Sequence, residues 1–169
     1  GITEKYNYSK KRGNASAKGY DMSQIRNFCY KDGKLYCVYE SSRILVLNAQ
    51  TGEKLGFLSN GDVVIPAAAK LADIKCIDGV LVASNIGMTT DNAAGHTKKL
   101  RLYAWENDNA KPYLLFETDD FQGATRMGDC LEMTGNFKTD CWFAFAQDYN
   151  NQTRIVEYNR KDGAWSAKS

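Results

Sequence analysis

The feature that most constrains this chain is a pair of closely spaced hairpin signals in its first third. Residues 44–57 (ILVLNAQTGEKLGF) show an apolar strand pattern, a turn at 48–52 and a second extended stretch. Residues 28–36 contain the dipeptide Asp32-Gly33, which strongly favours a two-residue hairpin turn. Together the two hairpins predict one antiparallel unit with strands near 26–31, 34–40, 43–48 and 54–58.

Weaker copies of this unit recur downstream. The turn at Asp78-Gly79 lies 46 positions after the turn at Asp32-Gly33, because 78 − 32 = 46. The second copy predicts strands near 73–77, 80–85, 99–105 and 113–117. The third predicts strands near 126–133, 141–147, 153–159 and 165–168. Four strands repeated every ~40–55 residues are typical of propeller blades.

We therefore predict an all-β, propeller-like fold of about three four-stranded antiparallel blades, at 26–58, 73–117 and 126–168. Residues 1–24 are polar and are predicted to form an N-terminal arm that contributes at most one edge strand. The chain begins with Gly rather than Met, and we interpret this start as a processed or engineered terminus.

The overall charge excludes some partners. The chain has 169 residues, enough for one domain with a real core, and its 22 basic and 20 acidic side chains give a net charge of +2. This balance does not predict binding to nucleic acid or to an anionic membrane surface, because both need a basic stripe. No apolar run approaches the ~20 residues of a membrane-spanning helix, so no membrane span is predicted.

The five cysteines, at positions 29, 37, 76, 130 and 141, cannot all pair within one chain, and no Cys-x-x-Cys or Cys/His spacing suggests a zinc site. A two-residue turn at Asp32-Gly33 places Cys29 opposite Tyr36 and Phe28 opposite Cys37, so the first two thiols lie on opposite faces of the sheet. We expect small buried thiols and no bound metal.

The turn and strand motifs resemble those of bacterial β-propeller repeat proteins. The hairpin at 47–53 (LNAQTGE) resembles the outer hairpin of quinoprotein-type repeats. Residues 25–169 more broadly resemble uncharacterised propeller-like proteins of gut-bacterial cell envelopes, through the stretches 26–28, 32–36, 102–108 and 126–129. The resemblance implies a propeller fold and a secreted, periplasmic or cell-surface location, and it implies no activity. Phe57 stands where quinoproteins carry Trp, so we expect no cofactor.

In such a blade the middle loop and the connection to the next blade lie on one face, which we call the loop face. Functional residues concentrate on loops that a rigid scaffold holds. Five residues are predicted to contact a ligand there: Arg26, Asp73, His96, Arg126 and Tyr149. The arginines suit an anionic or hydroxyl-rich ligand, and Tyr149 suits stacking on a sugar ring.

Each of these predictions has a structural alternative. The arginines form ion pairs with Asp73, Asp119 or Asp120 instead. His96, the only histidine, lies in the long loop 86–98, which is then an ordinary exposed loop. No catalytic residue is predicted, since His96 has no partner at the spacing of a triad or a metal site.

Two functions of different classes remain open. The first is a non-enzymatic binding or interaction module whose ligand is a glycan or another envelope protein. The second is an enzyme acting on polysaccharide, a glycosidase or a lyase, which needs carboxylates or a base and an arginine to converge on the loop face. We favour the first, because the repeated architecture carries no catalytic constellation.

The number of predicted blades has a consequence for assembly. Three blades fall short of the four to eight of closed propellers, so the two end sheets each leave an apolar face open. We expect the chain to associate through these faces or to receive further blades from a longer chain. The side chains predicted for the two ends are Phe28, Leu35, Ile44 and Val46, and Trp142, Phe143, Phe145 and Ile155.

Overall fold

The structure is a computed structural model that describes residues 19–61, 65, 70–89, 97–136, 139–149 and 152–168. Within these ranges the regular secondary structure consists of β-strands and one short 3-10 helix, Met22–Gln24. Twelve strands form three four-stranded antiparallel sheets that follow one another along the chain. The prediction of an all-β fold with four-stranded antiparallel units is confirmed.

The first sheet contains β1 (Ile25–Lys31), β2 (Lys34–Tyr39), β3 (Arg43–Asn48) and β4 (Lys54–Phe57), in that order. Asp32 and Gly33 have φ angles of 49° and 79°, as a type I′ hairpin turn requires at both central positions. This turn sets the predicted register, with Cys29 opposite Tyr36 and Phe28 opposite Cys37.

The middle sheet contains β5 (Leu71–Ile77), β6 (Val80–Asn85), β8 (Leu100–Trp105) and β9 (Tyr113–Thr118). Its first hairpin repeats the I′ turn, with φ angles of 49° at Asp78 and 76° at Gly79. The short strand β7 (Gly87–Met88) follows β6 and lies outside this sheet.

The third sheet contains β11 (Leu131–Gly135), β12 (Cys141–Tyr149), β13 (Gln152–Lys161) and β14 (Ala164–Lys168). The prediction that its first strand starts at Arg126 is wrong. Instead β10 (Arg126–Met127) pairs with β7 as a separate two-stranded ladder. The chain turns at Gly128, which has a φ of 107° and lies so close to Asn85 that an added Cβ would stand 1.8 Å from its carbonyl oxygen.

The three sheets pack face to face in chain order. One apolar cluster fills the space between the first and middle sheets and includes Ile44, Val46, Ile74 and the fully buried Trp105. A second cluster joins the middle and third sheets and includes Phe143, which is also fully buried. Apolar burial of this extent is the main force that holds the sheets together.

The first strands of the sheets, β1, β5 and β11, lie beside one another, and we call them the inner strands. Two hydrogen bonds join them. The Asn27 side-chain amide donates to the Ala72 carbonyl oxygen at 2.8 Å, and the Leu131 backbone N–H donates to the Asp73 carboxylate at 2.8 Å. The starts of the three inner strands therefore lie next to one another at one edge of the sheets.

Residues at the end of the predicted arm belong to the packed structure. Tyr20 is 1% exposed, and its hydroxyl donates to the Gly52 carbonyl oxygen at 2.6 Å. It covers a third apolar cluster on the first sheet, which includes Cys37, Leu45 and Leu47. Residues 1–18 lie outside the described part of the chain.

The predicted open ends are partly wrong. Ile44 and Val46 face the middle sheet, and Phe143 faces it from the other side, so all three are interior. Phe28 and Ile155 are exposed as predicted, while Leu35 and Trp142 are half-buried. The side chain of Phe145 lies outside the described residues. The alternation of strand side chains explains the error, because both faces of β3 are apolar and the sequence does not say which is covered.

All five cysteines are free thiols. Cys37 and Cys141 are buried as predicted, Cys29 and Cys76 are half-buried, and Cys130 is exposed, contrary to the prediction. Burial raises the pKa of Cys29 and of Cys37 to about 12. Among the described residues, no helix is long and apolar enough to cross a bilayer.

Candidate functional site

The loop face is the edge of the three sheets where the inner strands begin. The turn between β2 and β3, the short ladder of β7 and β10 and the connection between β9 and β11 lie at this edge. Arg26 lies near the start of β1, Asp73 near the start of β5, and Asp129 two residues before β11. Because the inner strands are neighbours, these three residues lie close together in space although they are far apart in the sequence.

Two arginines share one carboxylate at this edge. Arg26 Nη2 donates to Asp129 Oδ1 at 2.7 Å. Arg126 donates from Nε to Asp129 Oδ2 at 2.7 Å and from Nη2 to Oδ1 at 2.6 Å. This bidentate arrangement raises the pKa of Arg126 further above its ordinary value. We call these three residues the arginine cluster, and its formal charge is +1.

The arginine cluster remains open to solvent. The side chains of Arg26, Arg126 and Asp129 are 38%, 37% and 30% exposed. A guanidinium has five N–H donors on three nitrogens. Among the described residues, the bonds to Asp129 use one nitrogen of Arg26 and two of Arg126. Further donors therefore remain for an anionic or hydroxyl-bearing ligand.

The carboxylate that pairs with Arg26 and Arg126 is not one of those that the sequence analysis named as their ion-pair partners. Arg26 and Arg126 pair with Asp129 rather than with Asp73, Asp119 or Asp120. The spacing of Arg126 and Asp129 at i and i+3 around a glycine was the available signal for one pair. The bond between Arg26 and Asp129 spans 103 positions, and no local pattern predicts it.

Asp73 lies beneath the surface of the loop face. It is 5% exposed, and its two carboxylate oxygens accept backbone N–H groups from Ile74 and Leu131, both at 2.8 Å. Burial raises the pKa of Asp73, and the two backbone hydrogen bonds oppose that rise. Asp73 therefore joins two inner strands, and it is not a side chain that this face presents to a ligand.

The connection before β10 and the loop after β6 are docked together beside the arginine cluster. Met88 pairs with Arg126 in the short ladder, and the Thr89 N–H donates to the Thr125 carbonyl oxygen at 2.9 Å. The Ser84 hydroxyl donates to the Gly128 carbonyl oxygen at 2.7 Å. These contacts hold the turn that carries Asp129 against the middle sheet.

The other two predicted residues are not placed in the cluster. His96 lies outside the described residues. Tyr149 is the last residue of β12, opposite Gln152, and nothing is described of its side chain. Both remain predictions. With Arg126 and Asp73 they form the set from which the sequence could assemble a polysaccharide-acting site, and the burial of Asp73 removes it as an accessible acid or base.

Metal ligands do not gather in the described part of the chain: no three His, Cys, Asp or Glu side chains there come together in a way that could hold an ion. The arginine cluster offers charge and directed hydrogen bonds, which suit the recognition of an anionic or hydroxyl-bearing ligand.

Comparison with known proteins gives a fold and no function. No family model and no curated protein matches the chain. Its structure is similar to that of a DUF4623 family protein from Bacteroides eggerthii, with 15% identity and a TM-score of 0.62 over 83% of this chain. The alignment covers 32% of that protein, so this chain spans about a third of its length.

A second solved structure, the N-terminal domain of Nup159, aligns with a TM-score of 0.34 and 11% identity, over 95% of this chain and 51% of that one. The similarity to the Bacteroides protein supports the expected relationship to a β-rich bacterial fold. At this level of identity it shows shared architecture alone.

Proposed function

We propose that this chain is a non-enzymatic binding module on a β-propeller scaffold, and that its arginine cluster binds an acidic glycan of the cell envelope. The observation that supports the proposal most is the pair of partly exposed guanidiniums, 38% and 37% exposed, that one carboxylate holds in place. Arginine pairs bidentately with carboxylates, and the guanidinium N–H groups that Asp129 does not use can also donate to sugar hydroxyls.

The propeller assignment is supported by the repeated unit. Three four-stranded antiparallel sheets follow in order and place their first strands side by side, as blades do around an axis. The secreted, periplasmic or cell-surface location is proposed from the sequence resemblance to envelope propellers. Separating cell fractions and detecting the protein in each would test that location directly.

The test of function is calorimetric titration with oligogalacturonides, compared with neutral oligogalactosides of the same length. Arg26→Gln is the main variant, because it leaves the bidentate pair of Arg126 and Asp129 intact. Charge-assisted hydrogen bonds contribute about 1.5–3 kcal/mol, so we expect roughly 10- to 100-fold weaker binding of the acidic ligand. Arg126→Gln should have at least the same effect.

Lys161→Gln is the matched control, since it removes an exposed cation at a hairpin turn on the opposite edge and should leave binding unchanged. Higher ionic strength should weaken acidic binding. Equal affinity for acidic and neutral sugars, binding that survives Arg26→Gln, or no binding to either ligand would contradict the proposal. Selective capture of an envelope protein by the wild type, without glycan binding, would indicate the interaction module instead.

A further inference from the structure

Cys29 and Cys76 are half-buried thiols on neighbouring inner strands. Cys29 lies on β1 and Cys76 lies on β5, and the Cα atoms of these two strands approach within 8 Å of each other. Both side chains pack against the apolar cluster between the first and middle sheets. This position is inside the stack of sheets, so it does not depend on what covers the end faces.

The repeated hairpin places the two cysteines almost level with each other. Shifting β1 by the 46 positions that separate the two Asp-Gly turns superimposes it on β5, so Cys29 is equivalent to Lys75. Because the two strands are neighbours that start at the same edge, equivalent residues lie side by side. The residues on either side of Lys75, Ile74 and Cys76, face the first sheet. The stagger between Cys29 and Cys76 is therefore one residue, about 3.3 Å along the strands.

The electrostatics of Cys29 agree with this arrangement. Burial is the main reason that the pKa of Cys29 is raised to about 12, and the thiolate of Cys76 raises that pKa further. Lys75 acts on the same pKa in the opposite direction. Charges more than about 10 Å apart are largely screened at an ionic strength of 0.1 M, so both residues lie near the Cys29 sulfur.

The other three cysteines, all within the described part of the chain, are not placed to bond to either thiol. Cys37 is close to Cys29 in the first hairpin, but its side chain lies on the opposite face of the sheet, in the cluster that Tyr20 covers. Cys141 belongs to the cluster between the middle and third sheets. Cys130 lies at the loop face, just before β11.

The geometry of the inner strands suits a covalent bridge between two sheets. A disulfide requires a Cα–Cα distance of about 4.4–6.8 Å, whereas packed sheets are commonly about 10 Å apart. The inner strands come closer than that, to within 8 Å. A small movement of β1 towards β5 is therefore sufficient for the two sulfur atoms to bond.

We propose that Cys29 and Cys76 are a modification site, a thiol pair that forms a disulfide between the first and middle sheets. Each thiol gives up one proton and one electron, and one S–S bond forms. The oxidant is a low-molecular-weight disulfide, whose own S–S bond breaks through a mixed-disulfide intermediate. It takes up both electrons and both protons and leaves as two thiols. This inference does not depend on the ligand of the arginine cluster.

The disulfide should form slowly and should stabilise the fold. Exchange requires a thiolate, and the Cys29 thiol is almost entirely protonated at neutral pH. The bridge joins positions 47 residues apart, because 76 − 29 = 47, so it removes many conformations from the unfolded chain. An oxidising compartment, such as the proposed envelope location, would favour it.

The test starts from the reduced Cys130→Ser chain, because this change removes the exposed thiol that could link copies and leaves four cysteines. The protein is incubated for hours with oxidised glutathione at about pH 8.5, close to the pKa of a free thiol. After unfolding, two thiols should react instead of four. Trypsin places Cys29 in peptide 27–31 and Cys76 in peptide 76–98, and mass spectrometry should find these two peptides joined.

Two further measurements show whether the fold brings the pair together. At equal glutathione ratios, the folded protein should favour this disulfide about 30- to 1,000-fold more than the same chain in urea. The oxidised form should consequently melt about 5–15 °C above the reduced form. Cys29→Ser and Cys76→Ser should each abolish the joined peptides and the rise in melting temperature. Cys37→Ser, which removes a buried thiol outside the pair, is the matched control and should retain both.

The proposal would be overturned by any of three results. In the first, four thiols remain, or glutathione stays attached to Cys29 or Cys76 as a mixed disulfide, which means that the two sulfur atoms do not meet. In the second, the joined peptides contain Cys37 or Cys141. In the third, the disulfide is no more favoured in the folded protein than in urea, or it lowers the melting temperature.

Discussion

Gly128 shows how one residue determines the geometry of the candidate site. Its φ of 107° is a backbone conformation that residues with a Cβ rarely adopt, and Asn85 leaves no room for one. The resulting turn brings Asp129 between the arginines of strands β1 and β10. The position of the carboxylate thus depends on the absence of a side chain one residue earlier.

Gly128→Ala should destabilise the protein by about 3 kcal/mol or more, through steric overlap added to backbone strain. Gly33→Ala is the matched control. Gly33 also has positive φ, 79°, but nothing lies within 4 Å of its added Cβ, so we expect a loss of only about 1–2 kcal/mol. Urea unfolding of both variants measures the difference, and equal losses would mean that the contact with Asn85 does not matter.

The sequence predicted some residues of the candidate site and missed others, and the difference depends on whether the position of each residue is set locally. Arg26 and Arg126 were found because each stands at the start of an extended stretch near a connection. Asp129 was missed as their partner because its position depends on a turn that packs against the middle sheet. Asp73 was correctly predicted near the start of an inner strand. Its burial was not predicted, because it depends on the neighbouring inner strand, which local sequence patterns do not reveal.

At the scale of strands and sheets, the hairpin turns made prediction accurate. Strand β3 was predicted at 43–48 and occupies Arg43–Asn48, because turns with positive φ fix both its ends and its register. The prediction of one strand over 126–133 was wrong because no hairpin turn fixes the bounds of that stretch. It contains no hairpin signal, and its division into β10 and β11 depends on β7, which lies in the preceding sheet's loop.

A polar contact between sheets gives a prediction at this scale. Asp108, between β8 and β9, accepts hydrogen bonds from Lys34 at 2.5 Å and from the buried Tyr36 hydroxyl at 2.6 Å. Asp108→Ala leaves that hydroxyl without its acceptor, so we expect a loss of about 1–3 kcal/mol at pH 7. Asp119→Ala removes an exposed carboxylate in a connection and should change the unfolding free energy little.

The same carboxylate makes stability depend on pH. Partial burial tends to raise the pKa of Asp108, but the bonds from Lys34 and Tyr36 outweigh it, and the folded pKa lies below 3.8. The stabilisation is therefore present above pH 3.8 and is lost as the pH falls through the folded pKa. Unfolding curves of the wild type and Asp108→Ala should converge below pH 4, and a constant difference would contradict this assignment.

At the scale of the whole molecule, the thiols report on the integrity of the fold. Only Cys130 of the five cysteines is exposed, and burial raises the pKa of Cys29, Cys37 and Cys141. We expect a disulfide reagent such as Ellman's reagent to modify one thiol rapidly in the native protein. Five equivalents should react after unfolding in guanidinium.

Cys130→Ser should remove the fast phase and leave the slower ones unchanged. A fast phase that persists in this variant would show that one of the other thiols is accessible. Because the cysteines are distributed over all three sheets, the slow phases also measure how often each sheet opens.

Face-to-face packing in chain order also affects how the protein is made. On the ribosome the first sheet is complete once Phe57 has emerged, but the cluster that covers Ile44 and Val46 includes Trp105, 48 residues later (105 − 57 = 48). Synthesis at about 5–20 residues per second leaves that face bare for roughly 2–10 s. The nascent chain thus presents a temporary apolar surface during translation, when chaperones or premature contacts with neighbouring chains compete with the middle sheet.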